Sequence, residues 1–168
     1  MEEIVNRVAQ SDLITINLED FYQSGTRTLI DIKDVLYEEM VLREKDFRDY
    51  LKNTDWASYK DQHVAVHCSV DAIIPTWAYM LMATQLEPHA TTVVFGDLEK
   101  LEQYLFQREL SRLNPSDYTD RKIVIKGCGH IPVPDFAYVE ITRLLRPEVR
   151  SIMYGEPCST VPIYKRPK

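Results

Sequence analysis

A chain of 168 residues, 45% apolar and 27% charged, is long enough to bury a core without disulfides or structural metals, and that balance excludes a disordered or fibrous polymer. The net charge of −6, with Lys165, Arg166 and Lys168 as its one basic knot, argues against a nucleic-acid partner, because phosphate backbones are held by clustered lysine and arginine. No run of about 18 apolar residues offers a membrane span, and residues 1–10 open on Glu2 and Glu3 rather than on a basic start before an apolar block, so a cytoplasmic protein is expected.

In chain order, residues 2–10 read as a short helix and residues 13–18 as an edge strand. Apolar clusters at residues 28–32, 64–66, 92–95, 123–125 and 151–154 have the look of buried parallel strands. Helical patterns fall between them, at residues 45–52, 75–86, 98–113 and 134–145. Strands alternating with helices of this length predict a three-layer α/β fold with a mostly parallel sheet and right-handed crossovers, in one domain over residues 1–168.

Offset against itself by 59 residues, the sequence repeats without a gap. Tyr59, Asp61, Pro75, Ala78, Tyr79, Leu86, Pro88 and Gly96 meet Tyr118, Asp120, Pro134, Ala137, Tyr138, Leu145, Pro147 and Gly155. Average residue frequencies give about two such matches by chance. Residue type persists between them: Val64, Ala65 and Val66 face Ile123, Val124 and Ile125, while Trp77 faces Phe136. Residues 59–96 and 118–155 are therefore expected to be a tandem duplication of one βαβ unit, each helix opened by a proline, with Trp77 and Phe136 buried against the sheet.

Ligands of a parallel sheet bind beyond the carboxyl ends of its strands, and the chemistry-bearing residues fall there. His67, Cys68 and Asp71 follow one strand, Asp97 the next, Cys128 and His130 a third, and Glu156 and Cys158 a fourth. Thiolates at such ends ligate metals or attack electrophiles. Cys68, Cys128 and Cys158 with His130 as the fourth ligand would suit zinc, or an iron-sulfur cluster with one non-cysteine position. No close cysteine pair exists, and small apolar filling is the plainer role for such residues.

The run Lys126-Gly127-Cys128-Gly129-His130 places a thiol on a tight turn, with Lys126 and His130 where a nucleophile elbow has glycine. Pro132 stands where a dinucleotide fingerprint needs its third glycine. Asp97 and Glu156 could pair as carboxylates at the ligand edge, but Asp97 also reads as the cap of the following helix.

The segments Glu3-Ile4-Val5-Asn6-Arg7-Val8, Leu18-Glu19-Asp20-Phe21-Tyr22, Lys45-Asp46-Phe47-Arg48, Ile74-Pro75-Thr76-Trp77-Ala78-Tyr79 and Gly155-Glu156-Pro157-Cys158-Ser159-Thr160-Val161-Pro162 resemble an uncharacterised bacterial family, domain of unknown function 2480, over essentially the whole chain. The resemblance supplies no activity. It implies a single compact domain and an accessory role beside iron-sulfur assembly proteins. Three readings stand: a thiol-rich metal or iron-sulfur-binding accessory protein, a small-molecule enzyme with Cys128 as nucleophile, and a protein-binding scaffold without catalysis.

Overall fold

A computed structural model describes residues 12–168; the helix expected over residues 2–10 lies outside them. The described chain is α/β, with four α-helices and strands that pair in parallel everywhere except at the last hairpin. The strands divide between two sheets rather than forming one. The two strands nearest the start, β1 (Leu13–Asn17) and β2 (Arg27–Asp31), do not pair with each other. Each instead takes a later central strand, and a sheet grows around each pairing.

The chain accordingly forms two compact units, one continuous over Ser24–Tyr104, the other split and made of residues up to Gln23 and from Leu105 onward. The continuous unit holds β2, helix α1 (Glu44–Asn53), β3 (His63–His67), helix α2 (Thr76–Leu86) and β4 (Thr92–Phe95), with strand order β2-β3-β4. Helix α3 (Leu98–Leu110) runs across the boundary. The split unit holds β1, β5 (Lys122–Lys126), helix α4 (Asp135–Leu145), β6 (Ser151–Glu156) and β7 (Ser159–Lys165), in the order β1-β5-β6-β7.

The central strands are apolar without alternation: Val64, Ala65 and Val66 of β3 are buried, as are Ile123, Val124 and Ile125 of β5. Each helix buries one stripe at four-residue spacing, Ala78, Met82 and Leu86 on α2 and Ala137, Ile141 and Leu145 on α4. Trp77 and Phe136, expected in the core, are half-buried; the small alanine after each takes the fully buried place. Pro75 and Pro134 are cap residues rather than first-turn residues, each with its carbonyl accepting the N–H of the buried alanine at 2.9 Å.

Both expected segments have strand-helix-strand order with parallel strands, and the correspondence reaches beyond them. Leu42, Phe47 and Leu51 are buried, as are Leu101, Phe106 and Leu110 at the same offset. Asp61 and Asp120 both adopt left-handed backbone, at φ 60° and 57°. Their N–H groups donate to the carbonyls of His89 and Glu148. The first strands also match, since Asn17 and Asp31 each end a strand and accept the N–H two residues on, opening a 3-10 turn.

Candidate functional site

In the split unit β5 leads into Gly127, Cys128 and Gly129. Gly127 is buried against α4, and a Cβ there would lie 2.5 Å from the Tyr138 hydroxyl and 3.2 Å from Leu18 Cβ. Glycine thus lets the turn press against the tyrosine, which leaves Cys128 at the surface. Its Sγ lies 2.8 Å from the Tyr154 hydroxyl at the end of β6. The Tyr138 and Tyr154 rings meet edge to face, with centroids 5.8 Å apart.

These three residues share a cleft of about 630 Å³, walled mostly by apolar side chains that include Ile125, Ile131, Val133, Val139, Met153 and Ile163. Burial, followed by the hydrogen bond to Cys128 and negative charge on its sulfur, pushes the Tyr138 phenol up to about 12. The Tyr154 phenol is raised first by its hydrogen bond to Cys128, then by charge on that sulfur and by burial. Both hydroxyls therefore hold their protons at neutral pH and remain donors. An apolar cleft closed by a few convergent polar groups is the usual form of a small-molecule site, and perturbed phenols beside a thiol add the means for chemistry.

The continuous unit carries different residues at the matching strand ends. Ser69 stands at the place of Cys128, Cys68 at that of Gly127, His67 at that of Lys126 and Phe95 at that of Tyr154. Tyr79, the counterpart of Tyr138, meets Phe95 edge to face at 5.0 Å and is raised by burial and by charge on Cys68 and Asp31. Asp31 Oδ1 accepts the N–H groups of Lys33 and Ser69 at 3.0 and 3.1 Å. His67 Nε2 lies 3.6 Å from Asp31 Oδ2 and makes no hydrogen bond among the described residues.

Cys68 is half-buried, its thiol donating to the Val70 carbonyl at 3.5 Å. Cys158 is exposed in the turn between β6 and β7, and Asp71 and His130 are exposed as well. Asp97 caps α3, accepting the Lys100 N–H at 2.9 Å, as the cap reading requires. Glu156 pairs with Lys126 at 3.5 Å. Among the described residues no group of three or more His, Cys, Asp or Glu is placed to hold a metal ion. Of all the candidates read from the sequence, Cys128 alone lines the cleft.

The two tyrosines were missed as site residues, although the repeat had signalled both: Tyr138 is identical to Tyr79 on the helix, and Tyr154 faces an aromatic at Phe95. No helix among the described residues is long and apolar enough to cross a membrane. The chain belongs to the family described as "Protein of unknown function (DUF2480)", whose model matches residues 2–166. No curated protein and no solved structure matches the chain.

Proposed function

We propose that, in this family member, the cleft of the split unit binds a small, largely apolar molecule whose electrophilic end is attacked by Cys128. The supporting observation is the Cys128 sulfur set 2.8 Å from the Tyr154 hydroxyl at the edge of an apolar cleft. A thiol nucleophile needs a proton donor for the atom that gains electrons as sulfur adds, and two phenols that keep their protons stand beside it. The apolar walls favour a substrate with little charge away from its reacting end. On the same reading the two units descend from one duplication, a view supported by their shared offset and shared backbone hydrogen bonds.

Limited alkylation with iodoacetamide, mapped by peptide mass spectrometry, tests the proposal. Cys158 is an exposed thiol outside the cleft and serves as the internal standard. Cys128 should label ahead of Cys158. Tyr154→Phe should slow Cys128 about fivefold, the rate equivalent of a hydrogen bond worth about 1 kcal/mol. Equal labelling of the two thiols, unchanged by Tyr154→Phe, would leave Cys128 a surface residue. The competing reading, an accessory protein holding zinc or an iron-sulfur cluster for assembly partners, draws on no ligand group among the described residues. Stoichiometric iron and sulfide in anaerobically purified protein, lost in Cys158→Ser, would reinstate it.

A further inference from the structure

Cys128 meets its electrophile beside two phenols, and their placement selects the kind of electrophile. The Tyr154 hydroxyl lies 2.8 Å from Cys128 Sγ, and the Tyr138 hydroxyl also hydrogen-bonds to that sulfur. Both donors stand at the nucleophile itself. When sulfur displaces a group from a saturated carbon or opens a peroxide, the departing atom leaves in line on the far side, away from donors placed there. In conjugate addition the charge collects on an oxygen four bonds from the sulfur. In addition to a carbonyl carbon it collects on an oxygen only two bonds away, within reach of donors that already touch the sulfur. Preset donors at that oxygen are the usual means of stabilising it.

The rest of the cleft describes the other end of the molecule. Apart from the two tyrosines its lining has no aromatic ring, and Ile131, Val133, Val139, Met153 and Ile163 give it aliphatic walls. Val139 and Ile163 are 69% and 52% exposed, so apolar surface continues to the mouth. Asp135, the charged residue of the lining, is an acid, and like charge disfavours a free carboxylate there. A volume of about 630 Å³ holds much more than the reacting carbonyl group.

We propose that the cleft takes an aliphatic acyl thioester, and that Tyr138 and Tyr154 form the oxyanion hole for transfer of its acyl group to Cys128. The inference rests on the reading of Cys128 as a nucleophile and names the class of its substrate. A thioester suits a thiol acceptor, because one thioester replaces another with little change in bond energy. The Cys128 thiolate, its proton released to solvent, adds to the acyl carbon. The C–S bond forms, and the carbonyl electron pair moves onto oxygen, to which the two phenols donate. The pair then returns, the bond to the departing thiol breaks, and that thiolate takes a proton from water. The acyl group stays on Cys128 with its methylenes against the aliphatic walls.

The butyryl and octanoyl thioesters of N-acetylcysteamine test this, with initial acylation of each cysteine mapped by peptide mass spectrometry. Octanoyl should appear on Cys128 ahead of Cys158, the exposed thiol outside the cleft. Each methylene is worth up to about fourfold when fully buried, so four more of them should make octanoyl transfer about tenfold faster than butyryl, or more. Tyr154→Phe keeps the ring, and Phe95 already fills the matching place against Tyr79. That variant should slow acyl transfer about a hundredfold, the effect of losing one oxyanion donor, against about fivefold for alkylation by iodoacetamide, which builds no oxyanion.

Acyl transfer slowed by Tyr154→Phe no more than alkylation would overturn the oxyanion hole. Equal butyryl and octanoyl rates would overturn the aliphatic substrate, and that comparison needs only the wild-type protein, so it decides alone should Tyr154→Phe fail to fold. Either result with Cys128 still leading Cys158 in alkylation leaves the nucleophile standing, whereas loss of that lead removes the nucleophile and its acyl substrate together.

Discussion

The continuous and split units both carry a parallel strand-helix-strand frame and differ in the chemistry at its strand ends. Where the split unit has Asn17, Lys126, Gly127, Cys128 and Tyr154, the continuous unit has Asp31, His67, Cys68, Ser69 and Phe95. Both place a tyrosine, 138 or 79, on the helix that follows and pack it edge to face on an aromatic at the end of the next strand. The lesson is one of cost. The strand-helix-strand frame rests on buried apolar positions, left-handed aspartates and caps, which constrain the sequence heavily, whereas the strand ends lie outside the core and accept a thiol, a carboxylate or an imidazole with little effect on the frame.

If the frame is common, equivalent core truncations should cost alike. Phe47 and Phe106 are fully buried in the same helical register. Alanine at either should lower stability by about 3 to 5 kcal/mol, measured by chemical denaturation. The half-buried Trp77 and Phe136 should each lose less, about 1 to 2 kcal/mol, because less apolar area returns to water. A large difference between Phe47→Ala and Phe106→Ala would break the equivalence at its base.

The matching glycines should separate the units instead. Gly96 and Gly155 both have positive φ, 138° and 122°, in a region costly for any side chain. At Gly96 an added Cβ meets the Lys100 side chain at 2.6 Å, and that flexible chain can move aside. At Gly155 it meets the Ser159 carbonyl oxygen at 2.6 Å, fixed by the β6–β7 pairing. Gly96→Ala should cost about 1 to 3 kcal/mol of backbone strain, and Gly155→Ala more than its counterpart, both read from denaturant midpoints.

Much of this frame was legible in the sequence because apolar period, proline and glycine report directly on buried strands, helix starts and positive φ. The edge strand over residues 13–18, the strands β2 to β6 and the cap at Asp97 all emerge from local patterns, whereas β7 does not. The division into two sheets did not. Pairing of β1 with β5 joins residues about a hundred positions apart, and nothing local at Leu13 says that it will bypass β2. The site was legible by half. Cys128 was singled out by its chemistry, but Tyr138 and Tyr154 resemble ordinary packing aromatics until the fold brings their hydroxyls to the sulfur.

Acid should distinguish the units where Asp31 replaces Asn17. Burial pulls the Asp31 carboxyl up, but hydrogen bonds from Ser69 and the Lys33 N–H, with the charge of His67, more than offset it and leave the group below its ordinary value of 3.8. The Lys33 ammonium, 3.9 Å away, adds to the favourable field. A depressed folded-state pKa gives stability that is complete above the unfolded value and disappears as pH falls through the folded one. Wild-type protein should therefore lose stability below about pH 4, and Asp31→Asn should flatten that limb of the pH–stability curve. Asn17→Ala should leave its shape unchanged, since no proton is exchanged there.

Alkaline titration probes the smallest difference, the hydroxyl that Tyr154 has and Phe95 lacks. Tyr138 and Tyr154 are both raised, but for different leading reasons: burial for Tyr138, the hydrogen bond to Cys128 for Tyr154. Removing the sulfur with Cys128→Ala should therefore act unequally. Tyr154 should fall back toward the ordinary phenol value near 10, while Tyr138 keeps its burial and stays above it. Absorbance at the phenolate band would follow this directly, with Tyr154→Phe and Tyr138→Phe assigning the two steps. The stability curve carries the same information, because a raised folded-state pKa confers stability that is present below the unfolded value and lost as pH rises through the folded one. Wild-type protein should weaken progressively from pH 10 toward about 12, the value of Tyr138, and Tyr138→Phe should weaken less over that range. An unchanged Tyr154 titration in Cys128→Ala would mean that the thiol and the phenol do not interact in solution, and the proposed chemistry of the cleft would lose its proton donor.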